Sequence, residues 1–432
     1  MRSYGSTDPV PGEAASWCPE RVRRPRTSLA MLLGRLAGWA SRRLRMGEGA
    51  VISGRVALAV DPRALSRLAA DRHVVLVSGT NGKTTTAHLI AAALRTRAAV
   101  AHNDTGANMP DGAVAALLAQ PAARYAVLEV DELYLARVAE AVRPAVVVLL
   151  NLTRDQLDRG SEVRAVAARV SAALARRPEV LVVANADDPL VVGVGRAAAR
   201  VVWVAAGTRW LADGDSWAPA RCSGPVPTWS ARADAVDGPQ GTTPLRLALP
   251  GAFNMGNAAL ALAAADALGV PPDRAAHALA ALDSIAGRYA VLPRGRQNVH
   301  LLLAKNPAGW TELLPLLVDA TALLLVVNAR DADGRDTSWL WDVPFEQLPD
   351  RPTVASGERA ADLGLRLGYA GRQHRTEPDP VRALDLLPDG EIYVAANYTA
   401  FTRLTRRLTR EAAGADAAVR PVCRPRRGEG EA

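Results

Sequence analysis

Lysine is almost absent from this chain. Of 52 basic residues only Lys83 and Lys305 are lysines, so a composition that uses arginine nearly everywhere has kept two. Cysteine is scarce as well. Cys18, Cys222 and Cys423 stand far apart without pairing or metal spacing, which excludes a disulfide framework and fits a reducing cytoplasm. Aromatic residues make up 4%, and no basic run is interleaved with stacking side chains. The net charge of +8 and pI near 9.9 therefore point to an anionic substrate or membrane surface rather than to nucleic acid. The six histidines are scattered and form no metal-type pair. No apolar run is long enough to span a bilayer.

What is present is a phosphate loop. Val74-Val75-Leu76-Val77 reads as a buried strand, Gly79-Thr80-Asn81-Gly82 as a tight turn, and Lys83, Thr84 and Thr85 open a helix to Leu94. That order gathers backbone N–H groups, a helix N-terminus and one ammonium at a single point, which suits an anionic phosphate chain. An arginine fork is too wide for such a nest, whereas an ammonium fits as a point charge.

Strands and helices alternate beyond the loop. Strand candidates are 74–77, 125–130, 145–151, 180–184 and 201–205, with Ala-rich helices at 113–119, 133–141 and 164–176 between them. This predicts an α/β fold with a parallel, doubly wound sheet. Residues 206–243 lose the period and read as an insertion or long loop, followed by helices 255–268 and 273–282. A smaller α/β unit begins near 297, with strands 299–304, 321–328 and 391–396 and helices Trp310 to Val318 and Thr399 to Ala412. The expected organisation is a disordered start and amphipathic helix over 1–50, a central domain over 51–295, a C-terminal domain over 296–412 and a basic mobile tail over 413–432. In the amphipathic helix Leu29, Leu32, Leu33, Leu36 and Trp39 are apolar and Arg35, Arg42, Arg43 and Arg45 polar, so it either docks on its own domain or rests on a membrane surface.

Only two residues separate Gly79 from Gly82, where the standard phosphate loop has about four between its glycines. Gly-Thr-Asn-Gly-Lys-Thr-Thr-Thr resembles the Mur ligase superfamily, whose members use ATP to turn a carboxylate into an acyl phosphate that an amine attacks. Further segments resemble it in the same order. Glu129, at the end of a strand, corresponds to the superfamily's magnesium carboxylate, with Thr84 as a second oxygen ligand. Asn151 to Arg159 resembles its Asn-x-x-x-Asp-His-Leu-Asp-Arg stretch, with Gln156 in place of the histidine. Asn185-Ala186-Asp187-Asp188-Pro189 resembles the superfamily's Asn-Ala-Asp-Asp-Pro turn. Gly251 to Ala258 resembles the segment that supplies an adenine-facing asparagine, here Asn257, with Asn254 shaping the turn. Gly287-Arg288-Tyr289 resembles the domain-junction motif, so Arg288 is expected at the γ-phosphate, although Ala290 stands where many members have glutamate. The resemblance implies a central P-loop ATPase domain and a smaller C-terminal α/β domain, with ATP and Mg2+ as cofactors.

The C-terminal part narrows this to one branch. Ala304-Lys305-Asn306-Pro307-Ala308-Gly309-Trp310 and Asp331 to Asp342 resemble the MurT family, the synthetase subunits of lipid II isoglutaminyl synthase. That implies amidation of the D-glutamate α-carboxylate of the peptidoglycan stem, with lipid II or its stem peptide as substrate and ammonia from a GatD-like glutaminase partner. Lys305 would face the transferring phosphoryl group or the substrate carboxylate. Asp336, with Asp342 in reserve, would complete the partner's Cys-His pair, as a carboxylate that fixes the imidazole. The loop begins at residue 79, which leaves no space for a UDP-holding domain and fits a lipid-linked substrate. No cysteine sits in a nucleophile elbow, so ammonia must come from solution or a partner. Many members of this branch carry a four-cysteine zinc ribbon, but 206–243 holds Cys222 alone, so no zinc is expected; Trp210, Trp217 and Trp229 would supply an apolar substitute. The expected location is the cytoplasm, in peripheral contact with the inner membrane surface. The competing readings are a Mur-type amino-acid ligase acting on another carboxylate and a nucleotide-binding scaffold without catalysis.

Overall fold

A computed structural model of the chain describes residues 25–44, 50–104, 106–153, 163–207, 225–282 and 288–418. Three helices come first: α1 (Pro25–Arg43), α2 (Ala50–Val60) and α3 (Ala64–Ala69). A nine-stranded sheet follows, with strands β1 (His73–Ser78), β2 (Val100–His102), β3 (Tyr125–Glu129), β4 (Val146–Leu149), β5 (Leu181–Asn185), β6 (Arg200–Ala205), β7 (Trp229–Ala231), β8 (Ala235–Gly238) and β9 (Gly241–Pro244). Their order is β2-β3-β1-β4-β5-β6-β7-β8-β9, parallel from β2 to β7 and antiparallel at the last two pairings.

The interleaved helices are α4 (Lys83–Arg95), α5 (Pro110–Ala119), α6 (Leu135–Val142), α7 (Val163–Ala175), α8 (Pro189–Gly195), α9 (Ala252–Asp266) and α10 (Pro272–Ala280). They cover both faces. Val75 and Val77 point into the core shared with α4, α9 and α10, while Val74 and Leu76 join the opposite core with α5 to α8. A strand buried on both sides explains why its sequence is continuously apolar rather than alternating.

A second, six-stranded sheet comprises β10 (Tyr289–Arg294), β11 (Gln297–Leu303), β12 (Ala322–Val326), β13 (Thr353–Ser356), β14 (Arg375–Thr376) and β15 (Gly390–Ala396), ordered β10-β11-β15-β12-β13-β14. Helices α11 (Pro307–Leu313), α12 (Ala360–Tyr369), α13 (Pro380–Asp385) and α14 (Tyr398–Ala418) flank it. The antiparallel hairpin β10–β11 opens this sheet, directly after Arg288.

Several elements differ from expectation. The described part of 206–243 is no loop: β7, β8 and β9 extend the main sheet, with Trp229 and Val236 buried. Strands of three or four residues are too short to show a period. Trp210, Trp217 and Cys222 lie outside the described residues, as do Cys18, Cys423 and Gln156. The helix expected from Trp310 to Val318 stops at Leu313 and continues as a 3-10 turn over Leu314–Asp319, because Pro315 has no N–H to continue the ladder. Among the described residues no helix is long and apolar enough to cross a membrane.

Candidate functional site

The chemistry collects at the carboxyl ends of β1, β3, β4 and β5, the edge where an α/β sheet opens its ligand crevice. After Ser78 the chain turns through Gly79 (φ +143°) and Gly82 (φ +83°), both in backbone regions that favour glycine. The space is also taken. A Cβ on Gly79 would sit 2.9 Å from the carbonyl oxygen of Asn151, and one on Gly82 would sit 2.8 Å from Oδ1 of Asn257. Gly82 is the N-cap of α4, and it supplies no side-chain cap for the first helical N–H groups. Such an end is ready for an anion.

Asn151 fixes the loop from below. Its Oδ1 accepts from the Asn81 N–H (2.8 Å), its Nδ2 donates to the Asn81 carbonyl (3.0 Å), and its carbonyl accepts from the Thr80 N–H (2.9 Å). The Thr80 hydroxyl donates to the Thr153 carbonyl (3.1 Å) and accepts from the Thr153 N–H (2.9 Å). Behind them, Asn185 Nδ2 donates to the Leu150 carbonyl (2.8 Å). Asp188 accepts from the N–H groups of Leu152 (3.0 Å) and Val191 (2.9 Å), capping α8. The Asn-Ala-Asp-Asp-Pro turn is therefore scaffolding for the strand end beneath the loop. Burial pushes the Asp188 carboxyl up to about 6.

Lys83, 3% exposed, donates from Nζ to the Gly79 carbonyl, to the Thr80 carbonyl (3.1 Å) and to Glu132 Oε2 (3.3 Å). Glu132 is a partner that sequence reasoning missed, although it stands three residues after Glu129. The Thr84 hydroxyl donates to Glu129 Oε2 (2.7 Å) and accepts from Arg288 Nη2 (2.7 Å). Glu129 is buried, its backbone N–H held by Asn103 Oδ1 (2.8 Å). Lys83, Thr84, Glu129 and Arg288 thus form one cluster, although Arg288 stands 204 residues after Thr84 in the chain, just before β10.

Asn257 lies beside the loop on α9, and its Nδ2 donates to Asn254 Oδ1 (3.2 Å); Asn254 Nδ2 in turn reaches the Pro250 carbonyl (2.6 Å). A cleft runs between the two sheets, lined by Asn81, Gly82, Thr85 and Asn257 on one wall and Tyr289 and Glu312 on the other. Burial raises the Glu312 carboxyl to about 6. The walls are joined by an amide pair. Asn81 Nδ2 donates to Asn306 Oδ1 (3.2 Å), and Asn306 Nδ2 donates to Asn81 Oδ1 (3.1 Å). Asn306 also caps α11 through the Gly309 N–H (2.9 Å), and Lys305 is its neighbour in the same loop. Sequence reasoning did not single out Asn306.

Asp336 and Asp342 lie in the segment that follows β12. Asp336 Oδ1 accepts from the Ser338 N–H (2.8 Å), and that bond holds its carboxyl below the usual range. Asp342 is exposed next to Trp341, which is edge-on to Tyr369 with ring centroids 5.3 Å apart. Asp333, by contrast, is buried and accepts from the Thr399 N–H (2.8 Å) and hydroxyl, tying the segment to α14.

Comparisons with known proteins agree with this architecture. The Mur ligase middle domain family matches residues 77–265, and the MurT ligase C-terminal family matches residues 303–401. The subunit MurT of lipid II isoglutaminyl synthase (glutamine-hydrolyzing) from Streptococcus pneumoniae is 27% identical, covering 87% of this chain and 95% of that protein. Its counterpart from Staphylococcus aureus is 28% identical over 89% of this chain and 98% of that protein. Among solved structures, MurF from Acinetobacter baumannii superposes with a TM-score of 0.64 at 19% identity, covering 83% of this chain and 80% of that one. Folylpolyglutamate synthase of Mycobacterium tuberculosis complexed with ADP gives a TM-score of 0.59 at 18% identity, over 80% and 92%. With its loop, its two sheets and these near full-length relatives, the chain belongs to the Mur ligase family, in its MurT branch.

Proposed function

We propose that this chain is the ATP-dependent synthetase subunit of an amidating pair, a carbon–nitrogen ligase acting on the D-glutamate α-carboxylate of the peptidoglycan stem in lipid II. The observation that carries this reading is the cluster of Lys83, Thr84, Glu129 and Arg288 on an uncapped helix end, facing a C-terminal domain of the MurT type.

The donor set fits ATP. The Gly79–Thr85 backbone and Lys83 would hold the phosphates, Arg288 the γ-phosphate and Asn257 the adenine edge, where an amide offers both a donor and an acceptor. The hydroxyl of Thr84 and the carboxylate of Glu129 are the hard oxygens Mg2+ takes, and the ion would neutralise phosphate charge. The substrate carboxylate attacks the γ-phosphorus and ADP leaves; ammonia then attacks the acyl carbon and phosphate leaves. Little covalent chemistry falls to the protein, so positioning and charge neutralisation carry catalysis. Lys305, brought to the loop by the Asn81–Asn306 pair, would meet the transferring phosphoryl group or the substrate carboxylate.

Ammonia would come from a GatD-like glutaminase partner. The segment bearing Asp336 and Asp342 supports such a contact: Trp341 and Tyr369 beside it are 52% and 74% exposed, the kind of aromatic surface a partner covers. Asp336 would orient the partner's catalytic histidine, and Asp342 is the reserve. One cysteine within 206–243 cannot make a four-cysteine site, so the subunit would carry no structural zinc.

The test is phosphate release from ATP with a lipid II analogue. Release should require both the stem carboxylate and ammonia or glutamine plus partner. Release driven by a free amino acid instead would assign the chain to the amino-acid ligases.

A further inference from the structure

Helix α1 carries two faces of different chemistry. Thr27, Ala30, Gly34 and Gly38 are buried and form the face that packs on α2 and α5. A Cβ on Gly34 would lie 2.7 Å from the Ser53 carbonyl oxygen, so the helix sits as close as its backbone allows. The opposite face shows Leu29, Leu32, Leu36 and Trp39, which are 49%, 56%, 51% and 61% exposed. Spacings of three, four and three residues place these side chains in one stripe along the helix. The leucines are therefore not what holds the helix to its domain; the small residues are. A continuous stripe of large apolar side chains differs from the isolated ones any surface carries.

Charge accompanies the stripe. Residues 25–44 contain Arg26, Arg35, Arg42 and Arg43 and no Asp or Glu, and Arg21, Arg23 and Arg24 precede them. Arg26, Arg35 and Arg43 are exposed, and the side chains of Arg26 and Arg35 bond carbonyls, of Val60 and Leu118, rather than carboxylates.

We propose that the outer face of α1 docks on an anionic lipid surface. The leucines and Trp39 enter the boundary between headgroups and acyl chains, and the arginines meet the lipid phosphates. A second copy of the chain is a poor occupant, because a two-fold pairing of this face would set arginine against arginine across the interface. The proposal draws on the amidating reading only for its use, since an enzyme held at the bilayer meets a membrane-anchored substrate sooner.

Full-length protein mixed with vesicles of phosphatidylglycerol and phosphatidylcholine tests it by co-sedimentation, with pure phosphatidylcholine as reference. Binding is expected on the anionic vesicles, reduced at least tenfold by the double substitution L32E/L36E, weakened by R43E and weakened by salt. L32A/L36A, which keeps helix propensity, should reduce binding as well, and L365E, an exposed leucine of the C-terminal domain, should not. No binding, or binding untouched by L32E/L36E, overturns the proposal. So does a dimer of the free protein, or a complex with the glutaminase, that L32E/L36E dissolves while vesicle binding is lacking. These vesicles contain no lipid II, so failure here with amidation intact removes this inference and leaves the enzymatic reading standing.

Discussion

At the scale of single residues, Lys83 carries the largest consequence. Its ammonium is enclosed by the Gly79 and Thr80 carbonyls and Glu132. Lys83→Ala should lower amidation on the order of a hundredfold to a thousandfold, the effect of removing a preorganised charge from phosphoryl transfer. Lys83→Arg should do nearly as badly, because a planar fork does not fit that enclosure. Both should still co-purify with the glutaminase; turnover near the parent's in either would remove Lys83 from the site. Asp188 offers a pH test. Its carboxyl titrates near 6 when folded, against 3.8 for an ordinary aspartate, so between those values the folded chain holds a proton that the unfolded chain has lost. Its contribution to stability is therefore largest below about pH 4, falls by about 2–3 kcal/mol as pH rises to 6–7, and is level above. Denaturation midpoints of parent and Asp188→Asn should diverge over that window, and a constant difference would contradict the assignment. Lys83 and Glu129 were legible in the sequence because their chemistry tolerates few alternatives. Glu132 and Asn306 were not, because contacts formed between distant segments leave no local spacing to read.

At the scale of elements, the amide pair Asn81–Asn306 joins the phosphate loop to the N-terminus of α11 and so sets where Lys305 lies. Asn306→Ala removes that pair and the cap, each worth about 1 kcal/mol. It should raise the KM for ATP and lower kcat together, by roughly fivefold each, while Asn306→Asp keeps the cap and the bond accepted from Asn81 Nδ2 and loses only the one donated to Asn81 Oδ1. An unchanged KM in steady-state assays would mean the pair is only structural. Gly34→Val should lift α1 from α2, destabilising the protein by about 1–3 kcal/mol, read as a lower thermal midpoint and faster amide exchange over 25–43. The central strands and helices could be read from their period because both faces of the sheet are buried. The meander β7–β9, the edge strand β14 and the hairpin strand β10 are short or half-exposed, and their residues carry no such pattern. Helix α1 shows a different failure. Its amphipathic pattern was plain, but close backbone packing through Gly34 buried the small face and left the leucines outside.

At the scale of the whole molecule, the two sheets face one another across a cleft, with the phosphate loop on one wall and α11 on the other. That division suits a reaction in which one domain holds ATP and the other brings the carboxylate. The aspartates proposed to serve the partner belong to the C-terminal unit, in the segment after β12. Asp336→Ala should therefore abolish glutamine-dependent amidation and spare amidation driven by free ammonia; loss of both would place Asp336 in the ligase site instead. Metal analysis of the purified chain should find no zinc, and one atom per chain would overturn that expectation. The central claim, amidation of the stem carboxylate, is tested most directly by mass spectrometry of peptidoglycan stem peptides after depletion of this protein. A shift from isoglutamine to glutamate at the second stem position is predicted, and stem peptides that remain fully amidated would contradict it.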